Sequence, residues 1–152
     1  MSNTEKIAQE LLVAWETRNL TRTVNLLDYD FVLIGLAPQP LSRETFLMFQ
    51  RVHNEAFPDW KFNVSETRLE DNKVYLTTQI TATHSGVYDL SKLGIALPPL
   101  LPTGRTRSWP VEHLTCIVKK GRITQMIVET GSTGGLIGTL EWLGINLPTT
   151  MR

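Results

Sequence analysis

Four side chains in the second half of the chain have the chemistry needed for proton transfer, and each lies on or at the end of a predicted strand. These catalytic candidates are His84, Glu112, His113 and Glu129. An imidazole ionises near pH 6.5, so it can act as a general acid or base at neutral pH. A carboxylate buried in an apolar cavity has a raised pKa and can act as a base. These residue types therefore indicate acid–base chemistry on a small molecule.

Strand alternation limits which of these groups can act together. His84 is in phase with the apolar Ile80, so it is either a general acid or base at a cavity mouth or a hydrogen-bonded structural histidine. Glu112 and His113 are adjacent on one strand, so they point to opposite faces and cannot form a dyad. Glu129 ends a strand, where it is either a buried base or an exposed carboxylate.

At most one of the adjacent pair lines a cavity, and the sequence leaves open which one. Glu112 is in phase with Leu114, Cys116 and Val118 and faces inward if those apolar residues do. His113 has a family resemblance in its favour, described below. The residue that faces outward is then a surface charge or part of a contact between subunits.

Other reactive residue types have ordinary structural explanations. His53 lies at core spacing on a predicted helix, which favours a buried structural imidazole. Cys116 lies within an apolar strand and is expected to be an inert thiol. The three histidines are far apart and give no metal-ligand spacing, so no metal site is predicted. Gly131–Gly135 is rich in glycine, but no P-loop lysine follows it, which argues against nucleotide binding.

Aromatic side chains at helical or strand spacing are candidates for the wall of a pocket. They are Trp15, Phe31, Phe46, Phe49, Trp60 and Trp109. Rings at such spacing usually belong to the core, but together they suit a small apolar or polycyclic ligand. We expect an enclosed pocket of roughly several hundred Å3 between the third helix and the sheet.

The N-terminal part of the chain predicts helices around one strand. Ser2–Glu5 has the form of a capping box, and apolar residues at helical spacing then predict a helix that ends near Asn19. Thr21 is expected to cap a short second helix. Phe31–Gly35 predicts a strand, and Ser42 is expected to cap a third helix.

The apolar period changes to two from Lys61 onwards, which predicts strands. A long strand is expected to run over Val74–His84, and Trp109–Lys119 and Arg122–Glu129 predict a hairpin. Thr133–Leu143 predicts a C-terminal helix. Because helices come first and strands later, the class is α+β, with a curved antiparallel or mixed sheet wrapped around the N-terminal helices.

The composition limits the class of protein further. The 152 residues suit one domain, 1–152, and a formal net charge of zero without basic runs argues against nucleic-acid or membrane-surface binding. The N-terminus lacks an apolar signal core, so we expect a cytoplasmic protein. The longest apolar stretch, Leu93–Leu101, is broken by prolines and cannot cross a bilayer. It is too apolar to leave in water, so we expect it to cover the cavity mouth or a partner subunit.

Five short motifs occur in order along nearly the whole chain. They are Ala56–Phe62, Thr83–Gly86, Pro102–Arg105, His113–Ile123 and Gly138–Gly144. Together they resemble the SnoaL-like polyketide cyclase family of the nuclear transport factor 2-like superfamily. The resemblance implies a cone-shaped, cystatin-like fold with an enclosed cavity. For some members it implies aldol ring closure of a polyketide intermediate, without metal or organic cofactor.

The resemblance also implies where a base is expected. The family uses a carboxylate near the end of the last strand, with a histidine two residues earlier. In this chain those positions are Val128 and Met126, and neither can transfer a proton. A one-residue slip brings Glu129 near the base position, but alternation then aims it at the other face unless a bulge intervenes. An enzyme of this sequence therefore takes its base from another strand, and His84 is the strongest alternative.

Three hypotheses about function remain open. The first is a small-molecule enzyme of the cyclase or isomerase type, working by proton transfer in an apolar cavity. The second is a non-catalytic ligand-binding domain on the same fold, favoured by Val128 at the base position. The third is a structural association domain, suggested by the Thr- and Gln-rich face of Lys73–Thr83. Because charges are depleted at interface cores and family members pair through this sheet, we expect a homodimer.

Overall fold

The helices and strands follow the periodicity of the sequence closely. The computed structural model describes residues 3–145, so the capping box at Ser2 lies outside the described residues. The helices are α1 (Asn3–Glu16), α2 (Leu20–Leu26), α3 (Arg43–Ala56) and α4 (Gly135–Trp142), with a 3-10 helix at Leu90–Leu93. The strands are β1 (Leu27–Ile34), β2 (Leu41–Ser42), β3 (Glu66–Glu70), β4 (Lys73–Thr78), β5 (Thr81–Thr83), β6 (Thr106–Ser108), β7 (Glu112–Lys119) and β8 (Arg122–Glu129).

Six of these strands form one curved mixed sheet, and two form a separate ribbon. The order in the large sheet is β2-β1-β8-β7-β4-β3. Strands β1 and β8 run parallel, and the other neighbouring pairs of this sheet run antiparallel. Strands β5 and β6 pair antiparallel outside the large sheet. The expected α+β class with a curved mixed sheet is confirmed.

Polar side chains tie the three N-terminal helices to one another and to the segment that follows α3. The Asn54 amide of α3 donates a hydrogen bond to the Trp15 carbonyl at the end of α1, at 3.0 Å. The Thr23 hydroxyl of α2 donates to the Gln50 side chain of α3 at 2.7 Å. The Glu16 carboxylate accepts the Phe62 backbone N–H at 2.9 Å. Because a buried polar group without a partner is costly, these bonds fix the position of α1 and of the segment that follows α3.

The long strand expected over Val74–His84 is interrupted in the structure. Strand β4 ends at Thr78 and β5 begins at Thr81, because the Gln79 N–H donates to the Phe62 carbonyl at 3.0 Å instead of continuing the ladder. The chain therefore leaves the large sheet here and pairs with β6. The predicted inward phase nevertheless continues across the break, since Ile80, Ala82 and His84 are all buried.

Two helix starts differ from the expected positions, and one agrees. The second helix begins directly after Asn19, whose side chain accepts the Arg22 N–H at 3.0 Å and so caps it. The C-terminal helix begins two residues later than expected, at Gly135. Ser42 caps α3 as predicted, because its hydroxyl accepts the Thr45 N–H. Within residues 3–145, no helix is long and apolar enough to cross a membrane.

Candidate functional site

An apolar cavity of about 60 Å3 lies where α1 and α3 face the inner side of the sheet. Apolar side chains of α1, α3, β7, β8 and α4 form most of its wall, and His53, Glu112 and Thr139 add polar groups. The volume is well below the several hundred Å3 expected, because aromatic rings fill most of the space inside the fold. A cavity of this size holds a few water molecules or a small part of a ligand.

Five of the six aromatic residues named from the sequence line this cavity. They are Trp15, Phe46, Phe49, Trp60 and Trp109. The sixth, Phe31, lies behind the wall, where its ring packs against Phe46 with 5.1 Å between centroids. Phe31 lies on β1, in the layer behind α3. It therefore supports the cavity wall without lining it.

Of the four catalytic candidates, Glu112 is the one that lines the cavity. It is 3% exposed and lies on β7 in phase with the buried Leu114 and Cys116. Its Oε2 accepts the Gly135 backbone N–H at 3.2 Å. Burial raises the pKa of the Glu112 carboxyl above its ordinary value of 4.5, while the Gly135 hydrogen bond and the Arg107 guanidinium act in the opposite direction. The site thus contains a desolvated carboxyl held in place by the start of α4.

His113 and Glu129 lie on the opposite, outer face of the sheet. They are exposed partners in the β7–β8 register, and His113 Nδ1 is 3.4 Å from the Thr77 hydroxyl oxygen. Val128 lines the cavity and pairs with Leu114, so Glu112 lies diagonally across the two strands from it. The position at which the family resemblance expects a base is therefore apolar, and the neighbouring strand provides a carboxylate close by.

His84 is completely buried but does not line the cavity. Its ring lies beside Phe57 and Tyr88, and its Nδ1 is 3.0 Å from the Thr103 hydroxyl oxygen. Burial lowers the pKa of His84 below 6.5, partly opposed by a hydrogen bond at the Gly86 backbone. The imidazole therefore joins the loop that carries Thr103 to the core, and the structure does not bring it together with Glu112.

His53 lines the cavity as a fixed, neutral imidazole. Its Nδ1 lies 2.8 Å from the Phe49 carbonyl, which can only accept, so Nδ1 carries the hydrogen. Its Nε2 then accepts the Tyr88 hydroxyl at 2.7 Å. Burial lowers the pKa of His53 to about 4, against the smaller opposing effect of the Phe49 hydrogen bond. The core role predicted for His53 agrees with this geometry. Tyr88 lies in a loop, and nothing in the sequence marked it as the hydrogen-bond partner of His53.

The three indoles in the wall differ in how their N–H groups are satisfied. Trp109 Nε1 donates to the Thr139 hydroxyl at 2.9 Å, and that hydroxyl donates to the Gly135 carbonyl. Trp15 Nε1 and Trp60 Nε1 are buried and have no hydrogen-bond partner in the described part of the chain. The contact between Trp109 and Thr139 could not be read from the sequence, because the residue that follows β6 and the helix α4 meet only in the folded chain.

A second apolar depression, of about 270 Å3, adjoins the cavity. The two spaces share Leu36, Phe49 and Leu136 as lining residues. Leu93 and Ile95, from the apolar stretch expected to act as a cover, line this groove. The first part of the stretch thus packs beside the cavity, whereas Leu101 at its end is exposed. Over residues 3–145, no group of three His, Cys, Asp or Glu side chains is arranged to hold a metal ion.

The fold is that of the nuclear transport factor 2-like class. The sequence pattern of the SnoaL-like polyketide cyclase family matches residues 5–127, and the chain belongs to this family. No curated protein matches the chain.

Several solved structures share the fold at low sequence identity. AclR from Streptomyces galilaeus, a candidate hydroxylase, is 20% identical, with 97% of this chain and 85% of that chain covered and a TM-score of 0.71. A SnoaL-like candidate polyketide cyclase from Jannaschia sp. CCS1 is 16% identical, with 95% and 94% covered and a TM-score of 0.72. IdmH from Streptomyces antibioticus, a candidate polyketide cyclase, is 22% identical, with 93% and 99% covered and a TM-score of 0.68. At these identities the likeness concerns the fold alone.

Proposed function

We propose that this protein is a small-molecule enzyme of the cyclase or isomerase type in which Glu112 is the general base. The observation that carries the proposal is a carboxyl that lines an apolar cavity and is only 3% exposed. Its desolvation makes the carboxylate a stronger base than one in water. Glu112 takes this role in preference to His84, because His84 does not reach the cavity surface.

The reaction begins when a Glu112 oxygen removes a proton from a carbon next to a carbonyl group. The electron pair of the broken C–H bond forms a carbon–carbon double bond, and the carbonyl π pair moves to oxygen to give an enolate. The enolate carbon then attacks a second carbonyl of the same molecule, which closes a ring. In a substrate whose enolate is conjugated with a further carbon–carbon double bond, the proton instead returns at the far carbon of that bond, which isomerises the substrate. Glu112 gives its proton back at the end of either sequence.

The proposed ligand is a small apolar or polycyclic carbonyl compound. The cavity wall is largely aromatic and aliphatic, and the adjoining groove of about 270 Å3 is apolar as well. Leu36, Phe49 and Leu136 border both spaces, so the cavity and the groove adjoin each other. A ligand with its reactive carbonyl beside Glu112 and an apolar extension in the groove is consistent with this arrangement.

A non-catalytic ligand-binding domain is the second candidate. It is favoured by Val128, which puts an apolar side chain into the cavity where the family resemblance expects the base. Under this alternative Glu112 accepts the Gly135 N–H, holds the start of α4 and takes no proton from the ligand.

The experiment measures exchange of the carbon-bound hydrogens next to the carbonyl of cyclohexanone in D2O, followed by NMR. Wild type is compared with Glu112→Gln, which keeps the shape of the side chain and removes its basicity. The matched control is Glu129→Gln, since Glu129 is on the outer face. A general base contributes about 100- to 10,000-fold, so exchange is expected to fall by that factor in Glu112→Gln and to stay unchanged in Glu129→Gln.

Equal exchange rates in wild type and Glu112→Gln would contradict the assignment of the base. Saturable binding of cyclohexanone by wild type without any acceleration of exchange would favour the ligand-binding domain. Circular dichroism of each variant separates loss of the base from loss of the fold.

A further inference from the structure

The end of the glycine-rich segment Gly131–Gly135 lies against the Glu112 carboxyl. Gly134 is buried, and a Cβ added there would lie 2.8 Å from Glu112 Oε2. Gly135 donates its N–H to the same oxygen at 3.2 Å and has a φ of +66°, a left-handed conformation that favours glycine. The close approach of the backbone to this carboxyl therefore accounts for the glycines at both positions.

Arg107, on β6, holds the carbonyl that comes just before these two glycines. Its Nη2 donates to the Thr133 carbonyl at 2.7 Å. Its guanidinium also lies over two indole rings, 4.9 Å from the centroid of Trp109 and 5.6 Å from that of Trp142. A guanidinium is attracted to the faces of such rings, and its planar fork restricts its orientation further. These contacts hold the positive charge beside the turn that carries the Gly135 N–H.

The Arg107 side chain affects the cavity only through Glu112, because Arg107 itself does not line the cavity. Burial has the largest effect on the Glu112 pKa and raises it, whereas the Gly135 hydrogen bond and the Arg107 charge each lower it. Among the described residues of the cavity wall, His53 is the other titratable side chain. Burial lowers the pKa of His53 to about 4, so its imidazole is neutral in the pH range in which Glu112 ionises.

We propose that Arg107 is the positioning residue of Glu112. It holds the Thr133 end of the turn while Glu112 accepts from Gly135 at the other end, so the carboxyl oxygen and the N–H stay aligned. Its positive charge favours the ionised carboxylate, which is the form able to take a proton. The use of this carboxylate as a base rests on the proposed function, whereas the coupling of the two side chains does not.

The test follows the ionisation of Glu112 by 13C NMR of protein labelled at the glutamate side-chain carboxyl carbons. The Glu112 signal is assigned by its absence in Glu112→Gln. Arg107→Met keeps most of the aliphatic stem and removes the charge and the donors, so the pH midpoint of the Glu112 signal is expected to rise. Arg107→Lys keeps the charge, so its midpoint is expected to lie between those of wild type and Arg107→Met.

Arg105→Met is the matched control. The Arg105 guanidinium donates to the Trp142 carbonyl at 3.1 Å, so this variant also removes one arginine charge and one hydrogen bond to a backbone carbonyl. Trp142 is at the opposite end of α4 from Gly135. The Glu112 midpoint is therefore expected to stay at its wild-type value, and circular dichroism checks that each variant is folded.

The pH profile of cyclohexanone hydrogen exchange gives a second readout. Because only the carboxylate form of Glu112 takes a proton, the pH of half-maximal exchange is expected to move upward in Arg107→Met. The same pH is expected to stay unchanged in Arg105→Met. A contribution of Arg107 to stability alone would leave this pH where it is in wild type.

An unchanged or lower Glu112 midpoint in Arg107→Met would overturn the proposal. An equal rise in Arg105→Met would also overturn it, as would a rise in Arg107→Lys as large as that in Arg107→Met, because the charge would then have no effect. If Arg107→Met does not fold, Arg107→Gln takes its place, with the same rise expected.

The carboxyl titration needs no substrate, so it separates this inference from the proposed function. If the midpoint rises in the Arg107 variants while wild type accelerates no hydrogen exchange, the positioning role stands and the enzymatic proposal fails. If exchange depends on Glu112 while its midpoint does not respond to Arg107→Met, the enzymatic proposal stands and the positioning role fails.

Discussion

Acid is expected to destabilise this protein through His53, a group whose burial is complete. Burial lowers the pKa of His53 to about 4 from the ordinary value of 6.5. Between these two pH values the unfolded chain binds a proton at this imidazole and the folded chain does not. Stability from the neutral His53 is therefore fully present above pH 6.5 and is lost as the pH falls towards 4.

The size of the effect follows from the difference between the two pKa values. One pKa unit corresponds to about 1.4 kcal/mol, so the pH decrease from 6.5 to 4 removes about 3 kcal/mol from the free energy of unfolding. That is a large share of the roughly 5–15 kcal/mol that stabilises an ordinary domain. Protonation at Nε2 also breaks the hydrogen bond from the Tyr88 hydroxyl, because both ring nitrogens of His53 then carry hydrogen and neither can accept.

Urea unfolding of wild type and His53→Gln at several pH values measures this contribution. Glutamine can still accept from the Tyr88 hydroxyl but does not titrate, and the other ionisable groups cancel in the difference between the proteins. The stability advantage of wild type over the variant is expected to shrink by about 3 kcal/mol between pH 7 and pH 4. Parallel stability curves would refute the reasoning, as would a His53 pKa near 6.5 measured by NMR in the folded protein.

Three further predictions concern the base, a glycine and the assembly. Burial raises the pKa of Glu112, so ionising this carboxyl costs stability. Glu112→Gln is therefore expected to gain thermal stability relative to wild type as the pH rises above 4.5. A stability difference that does not change with pH would contradict this prediction. A Cβ added at Gly86 would lie 1.8 Å from the Glu55 carbonyl oxygen. Gly86→Ala is therefore expected to lower the free energy of unfolding, measured in urea, by about 2 kcal/mol or more. Gly131→Ala is the control, and it is expected to change this free energy little because the space around Gly131 is open. The homodimer stays a prediction, and light scattering that gives the mass of one chain at micromolar concentration would exclude it.

The expected dimer face is less continuous than the sequence indicated. Thr77 lies on the large sheet beside His113, whereas Thr81 and Thr83 belong to the separate ribbon with β6. The break at Gln79 divides the polar strand face into two parts. The part of the expected dimer face that lies on the large sheet includes His113 and Glu129, which the sequence placed among the catalytic candidates.

Local rules were sufficient for much of the fold. Alternation separated Glu112 from His113, and the structure puts them on opposite faces as predicted. The hydroxyl of Ser42 caps α3 because capping depends only on the three residues that follow. Helical spacing predicted that Phe46, Phe49 and His53 share a buried face, and all three line the cavity.

Motifs recognised in the sequence gained their physical explanation from contacts across the chain. The Asp59 carboxylate of the Ala56–Phe62 motif accepts the Thr83 N–H at 2.7 Å. Gly86 of the Thr83–Gly86 motif lies against the Glu55 carbonyl, where a larger residue has no room. The two motifs are therefore parts of one contact between the end of α3 and the ribbon, although 24 residues separate Asp59 from Thr83.

The sequence by itself determined the class of fold, the helical and strand periods and the set of groups able to move a proton. Only the tertiary structure decided that Glu112 reaches the cavity and that His84 does not. Alternation divides a strand into two faces, but which face is buried depends on where the helices cover the sheet. The cavity volume and the unpaired indoles of Trp15 and Trp60 were likewise undetermined, because side chains from distant segments create them together. Periodicity describes one element at a time, whereas a site is defined by the distances between elements.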